Sequence, residues 1–209
     1  MADLIDLALI DDDEAVLDAL LHYLTRQSVK TSCFNAAKSF LTTLNHGARF
    51  DCVVSDVRMP GMSGLDLMRH LNERACAQPV ILITGHGDVD MAVTAIKHGA
   101  FDFIEKPFDE ARLLASIRRA VKQGRQREVI ATELEELQSR FNTLSARQRQ
   151  VMELAVVGLS SKEIAIKLNI SPRTVESHRA WVMERIGARN LAELIRMAMK
   201  LQAHNERSK

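Results

Sequence analysis

Ile5-Asp6-Leu7-Ala8-Leu9-Ile10-Asp11-Asp12-Asp13-Glu14 is a mostly apolar run of strand length that ends in four acids. The next comparable run, Cys52-Val53-Val54-Ser55-Asp56, ends in a single acid, and two later runs end in Thr84 and Lys106. Carboxylates, a hydroxyl and an ammonium at the ends of four strands would meet at one edge of a parallel sheet. That edge is where open α/β sheets place their chemistry. Massed carboxylates repel unless a cation joins them, so the cluster reads first as a Mg²⁺ site.

Strand-length apolar runs recur at Ile5–Ile10, Val29–Phe34, Cys52–Ser55, Val80–Ile83 and Phe101–Ile104. Helix-period segments lie between and after them, at Glu14–Arg26, Asn35–Asn45, Leu65–Glu73, Asp88–Lys97 and Asp109–Lys122. Five alternations predict a parallel sheet with helices on both faces. Residues 124–142, with Gly124 as the expected interruption, read as a helical linker. From Leu144 the period is helical throughout. Ser145 caps a helix to Val157, Ser160 or Ser161 caps Lys162–Leu168, Ser171-Pro172 opens a helix that Gly187 ends after Ile186, and a last helix spans about Asn190–Ala203. The expected domains are 1–123, a linker 124–142, and 143–209.

The chain's 209 residues suffice for two small domains, and its net charge of +1 hides an asymmetry. Residues 1–142 carry 16 Lys+Arg against 21 Asp+Glu, and residues 143–209 carry 12 against 6. An acidic front and a basic back suggest different partners, nucleic acid for the second. The three cysteines, Cys33, Cys52 and Cys76, form no C-x-x-C pair; Cys33 and Cys52 read as buried reduced thiols. Met1-Ala2-Asp3 opens no signal peptide and no run approaches 18 apolar residues, so a soluble cytoplasmic protein is expected.

A carboxylate can attack phosphorus to give an acyl phosphate. Asp56 is the natural nucleophile because it stands alone on a central strand. Asp12 would hold Mg²⁺ directly and Asp11 through water, with Asp56 and the backbone carbonyl of Arg58 completing the protein's share; Pro60, Gly61 and Gly64 force the tight loop that could aim that carbonyl. The Thr84 hydroxyl and the Lys106 ammonium would hold phosphoryl oxygens. Each residue alone has a plainer reading: a solvated acidic turn, a helix cap, a strand-end hydroxyl, a surface charge before proline. Their conjunction on four strands does not.

Residues 4–122 resemble the receiver domain of two-component response regulators. Asp11-Asp12, Asp56 with Met59-Pro60-Gly61-x-x-Gly64, Thr84 and Lys106-Pro107 fall in that family's order and spacing. The resemblance implies a five-stranded (βα)5, CheY-like and flavodoxin-like fold. It implies that Asp56 takes phosphoryl from a phosphohistidine on a sensor histidine kinase, and that Phe103 is an aromatic switch coupled to Thr84. Asp11-Asp12-Asp13-Glu14-Ala15 also nearly fits the nucleophile motif of haloacid-dehalogenase phosphatases, but Ala15 takes the Thr/Val position and no later acid pair follows on a strand. An enzyme is therefore not expected; a phosphate-independent DNA-binding regulator is the other alternative.

In the basic half, Lys162–Leu168 and Pro172–Ile186 around an Asn-containing turn make a helix-turn-helix pattern. Ile164, Ala165, Leu168, Ile170 and Val175 have the spacing to pack its helices together, and Trp181 reads as core. Leu144–Ala198 resembles the LuxR/NarL/FixJ output domain, through Leu144-Ser145-x-Arg147, Gly158, Ser161-Lys162-Glu163-Ile164-Ala165, Ile170-Ser171, Thr174-Val175-Glu176-x-His178 and Leu194. That resemblance implies an all-α four-helix unit on double-stranded promoter DNA. Glu176, Ser177 and Ala180 would face bases; Lys162, Ser171, Arg173, Thr174, His178 and Arg179 would lie near phosphates. Within the family, Ser171-Pro172-Arg173-Thr174-Val175-Glu176 and the long linker are most similar to FixJ-type activators of nitrogen fixation genes. The implied partners are a FixL-like kinase, RNA polymerase and, on phosphorylation, a second copy of the chain; no membrane is implied.

Overall fold

The computed structural model describes residues 4–74, 78–85 and 89–207. Cys76, Met1-Ala2-Asp3 and the expected helix start at Asp88 lie outside them. The chain divides into two compact units, residues 1–128 and 129–209.

The first unit alternates strand and helix: β1 (Ile5–Ile10), α1 (Glu14–Arg26), β2 (Val29–Phe34), α2 (Ala37–Asn45), β3 (Cys52–Asp56), α3 (Gly64–Glu73), β4 (Val80–Thr84), α4 (Val89–Lys97) and β5 (Asp102–Glu105), followed by α5 (Glu110–Asn142). All strand pairs are parallel, in the order β2-β1-β3-β4-β5. This is the flavodoxin-like arrangement, whose order reverses between β1 and β3. Alternate residues of each strand enter opposite cores, because successive side chains point to opposite faces. Leu7, Leu9, Val54, Ile81, Ile83 and Ile104 pack under α1 and α5. Ala8, Ile10, Val53 and Leu82 pack under α2, α3 and α4. β3 and β4 are buried at all five positions, which is why they read as unbroken apolar runs.

Two expectations fail here for reasons of packing. Cys33 is exposed, because β2 is an edge strand; of the two, Cys52 alone is buried, and burial pushes its thiol far up. Gly124 does not interrupt α5, which is one 33-residue helix. A Cβ at Gly124 would stand 3.3 Å from Pro79 Cδ, so close packing against the start of β4 accounts for the glycine without a break.

The second unit is helical: the end of α5, then α6 (Ala146–Val156), α7 (Ser161–Leu168), α8 (Pro172–Ile186) and α9 (Leu191–Arg207). Each boundary has a chemical cause. Ser145 and Ser160 make capping boxes with Gln148 and Glu163, and Ser171 caps α8 ahead of Pro172. Asn169 (φ 51°) and Gly187 (φ 79°) end α7 and α8 in the left-handed region. Val151, Ala155, Ile164, Ala165 and Val175 form one core, which fastens α7 to α8. Leu134, Leu137 and Phe141 of α5 join Val182, Ile186 and Leu194 in the other. The last turns of the expected linker are thus part of this unit's core. Among the described residues no helix is long and apolar enough to cross a membrane.

Candidate functional site

The carboxyl edge of the sheet gathers the predicted residues of the first unit. One step past the Ile10–Ser55 register pair, Asp11 directly follows β1 and Asp56 ends β3, at the point where strand order reverses. Both are buried, at 3% and 7% exposure. Lys106, just past β5, reaches across β4 and donates from Nζ to Asp11 Oδ2 and Asp56 Oδ1, each at 2.8 Å. Burial alone would pull this ammonium down, but the hydrogen bonds and charges of Asp11 and Asp56 outweigh it and hold the lysine above its ordinary value. The Lys106–Pro107 peptide is cis, and the Lys106 amide donates to Thr84 O. Thr84 ends β4, fully buried. Phe103 is half-buried against the α2–α4 face of the sheet.

The second oxygen of each acid is also engaged. Asp11 Oδ1 accepts from the Asp13 amide at 3.0 Å, and Asp56 Oδ2 accepts from the Arg58 amide at 2.6 Å. The loop after β3 folds back tightly: the Gly64 amide donates to Val57 O, and a Cβ at Gly64 would lie 2.2 Å from Asp56 O. Gly61 sits at φ +83°, so both glycines of the loop are sterically required.

The expected trio of Asp11, Asp12 and Asp56 does not close on one point. Among the described residues no three His, Cys, Asp or Glu side chains form a ready metal cage. Asp12 is exposed. Three carboxylates repel one another, one ammonium satisfies two of them, and the third turns to water. The Arg58 amide binds Asp56 Oδ2, which ties the loop that carries the Arg58 carbonyl to the acid. The donor set still fits Mg²⁺, which takes hard oxygens from one or two carboxylates and keeps several waters. Three acids against one lysine leave two negative charges at this edge, the complement of a dication.

In the second unit α8 presents the predicted polar face. Lys162, Arg173, Thr174, Glu176, Ser177 and Ala180 are exposed; His178 and Arg179 are half-buried. Ser171 is exposed and its hydroxyl is committed to Thr174, both amide and hydroxyl. Ser177 Oγ donates back to Arg173 O. His178 turns Nδ1 inward and meets Trp181 edge-on, with centroids 6.1 Å apart. Trp181 is 56% exposed, so its expected place in the core is wrong: Val175, Val182 and Ile186 already fill the inward stripe of α8. One residue escaped the sequence reading. Ser161 Oγ donates to Glu176 Oε1 and accepts from Arg179 Nη1. Its signal was the Ser160-Ser161 doublet, in which only one hydroxyl can cap α7.

Comparison with known proteins supports both halves. Residues 7–118 match the response regulator receiver domain, and residues 142–198 match the bacterial regulatory proteins of the luxR family. The transcriptional regulatory protein FixJ of Bradyrhizobium diazoefficiens is 43% identical over 94% of this chain and 96% of its own. FixJ of Azorhizobium caulinodans is 46% identical over 91% of this chain and 90% of its own. The solved response regulator StyR superposes with a TM-score of 0.81 at 34% identity, covering 93% of this chain and 99% of that one.

Proposed function

The chain belongs to the two-component response regulators that join a receiver to a LuxR-family DNA-binding domain, and from that premise we propose how its own residues carry the signal. It is a FixJ-like transcription regulator. Residues 1–123 serve as receiver, 124–142 as helical connector and 143–209 as output domain.

Asp56 is the phosphoacceptor. One of its carboxylate oxygens attacks the phosphorus of a kinase phosphohistidine; the O–P bond forms as the N–P bond breaks, and the imidazole leaves with the bonding pair. The observation that carries this reading is the Lys106 ammonium 2.8 Å from both Asp56 and Asp11. A cation already in contact with the nucleophile is placed to neutralise charge developing on the phosphoryl oxygens, which is most of what phosphoryl transfer requires. Asp11, Asp12, Asp56 and the Arg58 carbonyl are the groups that would hold Mg²⁺, which when bound supplies the remaining charge neutralisation. Thr84, at the end of the neighbouring strand β4, donates its hydroxyl to the phosphoryl group, and Phe103 follows its shift inward.

Phosphorylation then shifts a population rather than building a new fold. α4 exposes Val93 and Ile96, at 44% and 50%, and the α4–β5 face pairs with that of a second copy. The paired output domains grip two half-sites of promoter DNA in the cytoplasm. There Lys162, Ser171, Arg173, Thr174, His178 and Arg179 serve phosphates, and Glu176, Ser177 and Ala180 serve bases. The test is labelling with acetyl phosphate in Mg²⁺: the wild-type chain labels, Asp56→Asn does not. Asp56→Asn labelled to the wild-type level would remove Asp56 from the role.

A further inference from the structure

We infer that Ser161 is a positioning residue for base recognition: it holds Glu176 of α8 in place as an acceptor that selects cytosine within the half-site. This rests on the reading of α8 as the DNA-contacting helix.

Ser160 and Ser161 divide two tasks. Ser160 Oγ accepts from the Glu163 amide and donates to Glu163 Oε2, and the Ser160 amide is held by the same carboxylate. The cap of α7 is complete without Ser161. Ser161 Oγ is instead spent across the helix pair: its single proton goes to Glu176 Oε1, and it accepts from Arg179 Nη1 at 3.0 Å. A serine hydroxyl has one donor and two acceptor lone pairs, so it can serve a carboxylate and a guanidinium at once. Glu176 and Arg179 lie one turn apart on α8, and the hydroxyl of a different helix joins them.

This arrangement has two physical consequences. A glutamate on a DNA-facing helix stands in the repulsive field of the phosphates; a guanidinium held beside it through one hydroxyl offsets that field. Glutamate is also a flexible side chain with three rotatable torsions, and fixing one oxygen before binding removes part of the ordering cost of the complex. The remaining lone pairs of an ionised carboxylate accept only. In the major groove such a group pairs with an exocyclic amino group, of which cytosine N4 is the characteristic partner of Glu. A side chain that merely filled space there would need neither the carboxylate nor the hydroxyl that holds it.

The test is selection of duplexes from a randomised pool by the full chain, phosphorylated with acetyl phosphate, followed by affinities for the selected site with each base substituted. The wild-type chain is expected to require cytosine at one half-site position, by about 5- to 100-fold over the other bases. Ser161→Ala, with helicity unchanged by circular dichroism, is expected to lose most of that discrimination while keeping the salt dependence of binding, which counts phosphate contacts. Ser161→Thr, which retains the hydroxyl, should restore it. Glu176→Gln should move the preference from cytosine to adenine, which a glutamine amide matches. Unchanged base preference in Ser161→Ala, or in Glu176→Gln, overturns the inference while leaving α8 as the DNA helix. A wild-type chain that selects no sequence overturns both.

Discussion

Replacing Lys106 by Met should destabilise the receiver, because it leaves two buried carboxylates without the cation they share. Lys106 Nζ lies 2.8 Å from each of two carboxylates whose side chains are only 5% and 9% exposed, while its own is 25% exposed. Removing one partner of a buried charge pair costs about 3–5 kcal/mol, and the partial exposure of Lys106 favours the lower end, about 3 kcal/mol. In the wild type the lysine is raised above its ordinary value. The lysine's contribution is therefore fully present below its unfolded pKa of about 10.4 and is lost as pH rises through the folded one. Hydrogen exchange of the β1 and β3 amides in the full chain measures receiver opening separately from the helical unit. Adding Asp56→Asn to Lys106→Met should recover most of the loss, since a single acid no longer faces a second. A defect below about 1 kcal/mol at pH 7.5, or one that Asp56→Asn leaves untouched, would show that the ammonium does not balance the two acids.

Gly64→Ala should destabilise the receiver by about 1–3 kcal/mol or more and slow acetyl phosphate labelling, because its Cβ would stand 2.2 Å from the Asp56 carbonyl oxygen; wild-type labelling of a stable variant would show that the loop can move aside. Asp51 accepts from Arg125 Nε and Nη2 and from the Asp6 amide, and despite its burial these partners hold its carboxyl below the ordinary 3.8. That contribution is present above the ordinary value and lost as pH falls through the lower folded one, so exchange protection of the Asp6 amide should fall below about pH 4 in the wild type and lose that acid step in Asp51→Asn. Trp181 is the chain's one tryptophan and is 56% exposed, so its emission should be red-shifted and readily quenched by acrylamide; blue-shifted, protected emission would return the indole to the core.

The residues whose places are legible in the sequence share a property: their environment is set by near neighbours or by full burial. β1 begins and ends where its apolar run does, because its last four residues are buried and a strand covered on both faces shows in its sequence. α8 starts at Pro172 because Ser171 and Pro172 leave the backbone little else to do. Each residue whose place differs from its sequence expectation depends on a fact that one segment does not contain. Cys33 is exposed because β2 is an edge, which is a property of strand order. Gly124 stays helical because Pro79, 45 positions earlier, lies against it. Trp181 faces outward because Val182 and Ile186 already occupy the interior.

The site divides along the same line. Asp11, Asp56, Thr84 and Lys106 are recognisable from strand ends alone, since a parallel sheet must bring those ends to one edge. Which acids the lysine holds is not, because contacts across 95 and 50 residues depend on how deeply each strand end is buried. The acid next to the switch in strand order is sequestered and its neighbour is left to water. Asp12 therefore differs from Asp11 in environment though not in chemistry, and that difference is what a divalent ion would have to overcome to draw Asp12 in. Ser161 poses the same problem in the helical unit: its partners are 15 and 18 residues away, and only the crossing of α7 over α8 turns an ordinary helix-start serine into the group that fixes Glu176.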